Sequence, residues 1–157
     1  MSTHAKAAKQ IKALLKSNFK SIKFSARSDS FAGGDSVSVE WVDGPSCREV
    51  GNLIDHFQYG HFDGMTDCYE YSNSRNDIPQ VKFVSYRREI SPEKWNEIFQ
   101  IAKAEYADLE GCEDVESNLK KPFGGLWTAK DFLYQKISTL NLSQPITLEL
   151  LQAGLCG

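Results

Sequence analysis

The sequence predicts an α+β fold: an antiparallel four-stranded sheet with helices packed on one face, in a single two-layer domain. Four segments alternate apolar with polar residues, and others repeat apolar residues at spacings of three and four. Between them sit two Asp-Gly pairs, Asp43-Gly44 and Asp63-Gly64, placed where the chain must change direction.

From residue 3 to 19, Ala8, Ile11, Leu15 and Phe19 fall on one helical face, and Lys9, Lys12 and Lys16 form a second stripe. Residues 20–27 alternate, with Ile22, Phe24 and Ala26 opposite Lys23, Ser25 and Arg27, which predicts a half-buried strand. After a loop at 28–34, Val37, Val39 and Trp41 alternate with Ser38, Glu40 and Val42, so the first two strands read as a hairpin. Pro45 and Ser46 are helix-start residues, Glu49 stands at capping-box distance from Ser46, and Val50, Leu53, Ile54 and Phe57 give that helix a core face. Gly60 is expected to end it in the left-handed conformation. Residues 66–71 and 80–88 alternate again and read as a second hairpin with a long polar loop.

Ser91-Pro92-Glu93 opens a third helix carrying Trp95, Ile98, Phe99, Ala102 and Tyr106. Residues 120–125 read as a Pro-Gly-Gly connection, and Thr128 starts a shorter helix with Phe132, Leu133, Ile137 and Leu140 inward. Ile146, Leu148, Leu150 and Leu151 place a short helix or docking strand at the end. The expected layout is one domain over 1–157: a basic N-terminal helix at 1–19, a core of sheet and helices at 20–108, and a C-terminal helical segment at 109–157.

A chain of 157 residues with 41% hydrophobic content supports one sizeable core. No apolar run approaches the roughly 20 residues of a membrane span, and the N-terminus lacks a signal-peptide apolar stretch, so a cytoplasmic protein is expected. Cys47, Cys68, Cys112 and Cys156 are widely spaced and are expected to be reduced thiols rather than a zinc ribbon. Charge is split along the chain. Residues 1–28 hold seven bases and no acid, whereas the other 129 hold 11 bases and 21 acids. Such a split marks either an interaction surface or a basic helix packed beside an acidic body.

The stretch V-x-W-x-D-G-P-S, a helix, and then F-x-x-G-x-F-D-G-M-T-D resembles a large polyvalent protein associated domain family. The residues that carry it are Trp41, Asp43, Gly44, Pro45 and Ser46, then Phe62, Asp63, Gly64, Met65 and Asp67. The resemblance runs over about 37–71 and loosens through the strand at 81–88. It implies a phage or conjugative-plasmid context and accessory or anti-defence work, with no catalytic residues to carry over.

The densest polar cluster is His56, His61, Asp63, Asp67 and Cys68. Two imidazoles and a carboxylate could serve a metal-dependent hydrolase, but an offset of five positions from His56 to His61 does not set both on one helical face. The simpler role for Asp63 is that of a turn residue. Gly64 is expected to need positive φ, so that Gly64→Val would cost more than about 1 kcal/mol. Cys47, just inside a helix start, is the better thiol nucleophile of the two near these histidines, although burial as a small apolar residue fits it equally. Phosphate-cradling glycine motifs are missing, and neither a cofactor nor a resident metal is implied.

Two surfaces are candidates for partners. Lys9, Lys12 and Lys16 could meet nucleic-acid phosphates. Glu105, Asp108, Glu110, Glu113, Asp114 and Glu116 form an acidic stretch with no base among them, which could face a basic protein. The sequence therefore reads first as a non-enzymatic accessory protein acting through protein contacts, with nucleic-acid binding and metal-dependent hydrolysis as alternatives.

Overall fold

The computed structural model describes residues 1–153. Cys156 lies outside them. The chain gathers into two compact units, Met1–Val42 with Cys47–Glu89, and Asp43–Ser46 with Ile90 onward. The first carries 12 bases against 10 acids and the second six against 11, so the charge split of the sequence is also a split between units. Among the described residues no helix is long and apolar enough to cross a membrane.

The first unit runs α1 (Thr3–Asn18), β1 (Ser25–Phe31), β2 (Gly34–Val42), α2 (Cys47–Ile54), β3 (His61–Asp63), β4 (Cys68–Glu70) and β5 (Phe83–Glu89). The Ser2 hydroxyl caps α1 by accepting from the Ala5 amide, and Ala7, Ala8, Ile11 and Leu15 form its buried stripe. β1 begins later than the predicted strand and continues through the predicted loop. The reason is the glycine pair: Gly34 takes φ 146°, and a two-residue turn at Ala32-Gly33 lets Phe31 pair directly with Gly34.

The predicted four-stranded antiparallel sheet does not form. The largest sheet has three strands in the order β1-β2-β5, and β2 pairs with β5 in parallel, from Ser36 opposite Phe83 to Val42 opposite Glu89. A long crossover containing α2 separates those two strands, so β5 returns in the same direction as β2. The expected second hairpin is replaced by β3–β4, a separate two-stranded ribbon pairing His61 with Glu70. One sheet face is covered: Val37, Val39 and Trp41 are buried, and α1 and α2 touch these strands. The opposite face, with Ser38, Glu40, Ser85 and Arg87, is exposed.

The second unit runs α3 (Pro92–Lys103), β6 (Asn118–Phe123), β7 (Leu126–Thr128), α4 (Ala129–Ile137) and α5 (Leu148–Ala153). Ser91 caps α3, and Thr128 with Asp131 forms a complete capping box on α4. The expected C-terminal helical segment contains a hairpin where a Pro-Gly-Gly connection was expected. Gly124 and Gly125 both take positive φ, the conformation of a two-residue hairpin turn, and join β6 to β7. Trp95, Phe99, Leu133, Ile137 and Leu142 lie in its core.

The first corner motif has its glycine at positive φ and leads into α2 as expected, whereas the second works differently. At the first, Asp43 and Gly44 take φ 56° and 73°. The Asp43 carboxylate accepts from the Ser91 amide and hydroxyl at 2.9 and 2.8 Å, and the Gly44 carbonyl accepts from the Leu142 amide at 2.6 Å. At the second, Gly64 is not in the left-handed region; Asp67 is, at φ 54°. Gly60 is not left-handed either. It is small because the backbone of Glu70 passes against it.

Candidate recognition surface

Beyond α2 and a 3-10 turn at Asp55–Phe57, two glutamine side chains organise the chain. Gln58 accepts from the Val84 amide and donates to the Gly60 carbonyl, both at 2.7 Å. Gln80, 8% exposed, donates to the His56 and Asn73 carbonyls at 2.8 Å and accepts from the Arg75 amide at 2.6 Å. Most of these bonds satisfy loop backbone groups, those of Gly60, Asn73 and Arg75, and the others reach the 3-10 turn at His56 and the start of β5 at Val84.

The ordered backbone holds five aromatic rings in an unbroken chain. Tyr71 stacks on Tyr59 at 5.5 Å, and Tyr69 meets both edge-on. Tyr69 meets Phe83 edge-on at 5.7 Å, and Phe83 stacks with Phe31 at 6.2 Å. These separations are those of attractive ring pairs. The Tyr69 hydroxyl donates to the Lys82 carbonyl at 2.6 Å, and burial pushes its phenol up to about 12. The Lys82 ammonium lies 5.0 Å from the Tyr69 ring centre while donating to the Gly33 carbonyl. Three of the rings remain in solvent, with Tyr71 at 66%, Phe31 at 45% and Phe83 at 37% exposure. Phe62 and Met65 on the β3–β4 ribbon are also exposed.

The residues of the expected polar cluster do not converge. Asp63 accepts from the Met65 amide and the Thr66 hydroxyl at 2.9 Å, and these bonds, the amide foremost, hold its carboxyl below the usual range. His61 sits 3.0 Å from the Ser72 hydroxyl and 3.4 Å from Glu70. The His56 ring packs on Phe57. Asp67 and Cys68 are exposed. Among the described residues no three His, Cys, Asp or Glu side chains are grouped to hold a metal, so the hydrolase site built on His56, His61, Asp63 and Asp67 is not assembled. Cys47 is a half-buried free thiol at the first position of α2.

The family model of the large polyvalent protein associated domain 29 matches residues 2–96. The chain belongs to that family. Domains of this name are associated with large polyvalent proteins of phages and plasmids. No curated protein and no solved structure matches the chain. The match extends the resemblance of the corner motifs back through α1 and forward into α3.

All five rings of this domain 29 member, and Lys9, Lys12 and Lys16, fall inside the matched residues, whereas the acidic stretch lies beyond them. Its acids are exposed, yet not without bases: Glu110 pairs with Lys120 and Glu116 with Lys130, while Asp114 binds the Glu116 amide. Sequence reading missed the aromatic surface because Tyr59, Tyr69, Tyr71, Phe31 and Phe83 lie on four separate segments. The available signal was the dense run of Tyr59, Phe62, Tyr69 and Tyr71 around a polar turn, more rings than a short ribbon can bury.

Proposed function

We propose that this domain 29 protein is a cytoplasmic accessory module of a phage or plasmid system that works by seating a partner protein on its aromatic surface. The observation that carries the reading is the continuous chain of five rings whose outer members stand in solvent. Grouped exposed apolar side chains mark contact sites, and rigid aromatic side chains are enriched among the residues that dominate protein interfaces. Local charge favours a protein over a polyanion. Lys82 is the cation on the rings, and Asp35, whose carboxylate accepts from the Lys82 amide, stands beside it.

The mobile-element association of the family supports extending the reading to a partner from a host defence or nucleic-acid-processing system. The acidic stretch from Glu105 to Glu116 is the weaker docking candidate, since Glu110 and Glu116 already have lysine partners.

The experiment is affinity capture from host lysate with the full-length protein and with a Tyr71→Ser/Phe83→Ser variant. The reading expects proteins retained by the first and lost from the second. Identical capture by both folded proteins would remove it.

A further inference from the structure

We propose that α1 and the segment following it form a second, independent site, which binds the phosphate backbone of a nucleic-acid duplex. Lys6, Lys9, Lys12, Lys16, Lys20 and Lys23 are all exposed, and none of them is ion-paired among the described residues. The basic helix is therefore not held in ion pairs by acids of the described chain, although Glu40 and Glu89 share a hollow with Lys12 and Lys23. Burial of Ala8, Ile11 and Leu15 fixes the rotation of α1, so the lysine stripe is held outward.

After α1 the chain folds back, and Lys12, Lys16, Lys20 and Lys23 come to line one groove of about 320 Å³ with Ile22 and Phe24. Gathering four ammonium groups is repulsive, the nearest carboxylates being those of Glu40 and Glu89 in the hollow that adjoins Lys12 and Lys23, and a polyanion relieves that repulsion while releasing its own counterions. Two features select a duplex backbone. Phe24 is 4% exposed, so the groove presents no ring on which an unpaired base could stack. The apolar stripe of α1 is committed to the core, so the helix cannot insert into a lipid surface. With lysines alone facing the ligand, binding is to phosphates and insensitive to base sequence.

The test is fluorescence anisotropy of a labelled short DNA duplex titrated with the full-length protein over a range of salt. The expected result is binding whose log affinity falls with log salt at a slope of about −3 to −4, the value for four phosphate contacts. Lys12→Gln/Lys16→Gln/Lys20→Gln should lose at least about tenfold in affinity and flatten the slope by roughly three, with an unchanged circular-dichroism spectrum, while the triple arginine variant should bind like the parent. An RNA duplex bound equally well supports the same site. The proposal is overturned by an absence of salt-dependent binding, by equal binding of the glutamine variant, by tighter binding to single strands, or by preference for anionic vesicles. Tyr71→Ser/Phe83→Ser should leave duplex affinity intact, so this result stands or falls separately from partner capture.

Discussion

Gly60 lies so close to Glu70 that a β-carbon on it would sit 2.0 Å from the Glu70 carbonyl oxygen and 2.5 Å from the Tyr69 ring. The β3–β4 ribbon is thus docked on a bare stretch of backbone, and the two tyrosines that flank Glu70 are positioned by that approach. Gly60→Ala should destabilise the protein by about 1 to 3 kcal/mol through backbone displacement. Gly64 meets nothing within 4 Å and does not need positive φ, so Gly64→Ala should stay within about 0.5 kcal/mol of the parent. Chemical denaturation of both variants checks the contrast; equal midpoints would contradict it.

Gln80 is the polar pin of the loop that leads to β5. Replacing it by leucine leaves the Asn73 carbonyl and the Arg75 amide without their side-chain partner, and the His56 carbonyl with only the longer bond from the Asn73 side chain at 3.3 Å. The expected loss is about 2 to 3 kcal/mol, with faster hydrogen exchange at the Arg75 amide. Unaltered exchange there would show that the loop is held by something else.

The corner motifs and the glutamines show where the sequence is legible and where it is not. Helix α1 announces itself by apolar spacing, and α3 and α4 because apolar spacing and a capping side chain agree: Ser91 and Thr128 each accept from the expected amide. The β1–β2 hairpin is legible from alternation and the Gly33-Gly34 pair. The parallel pairing of β2 with β5 is not, because alternation fixes which face is buried but not which strand lies alongside. Gly124-Gly125 carried a hairpin signal that the flanking lysines and proline of β6 obscured. The recognition surface was hidden for a related reason: ring contacts join segments far apart in sequence, and glutamines are ordinary residues until tertiary structure assigns them backbone partners.

Glu97 ties α3 to the segment before α5. Its carboxylate accepts from Lys94 at 2.8 Å and from the Ile146 amide at 2.9 Å, and these bonds, the lysine foremost, hold its carboxyl below the usual value of 4.5. A carboxylate with a lowered folded pKa stabilises the protein fully above the unfolded value and loses that contribution as pH falls through the folded one. Glu97→Gln should cost about 1 kcal/mol at neutral pH, a modest figure because the side chain is 34% exposed. The difference from the parent should shrink as the medium is acidified below 4.5. Thermal unfolding across pH checks this, and a constant difference would contradict it.

The most direct measurement of the docking claim is calorimetric titration of a captured partner with the parent protein and with Tyr71→Ser/Phe83→Ser, after both are shown to unfold at similar temperatures. Removal of two exposed rings predicts an affinity loss of at least about 30-fold, the effect of one interface hot spot of roughly 2 kcal/mol, with little dependence on salt. Equal affinities for the two proteins would contradict the account.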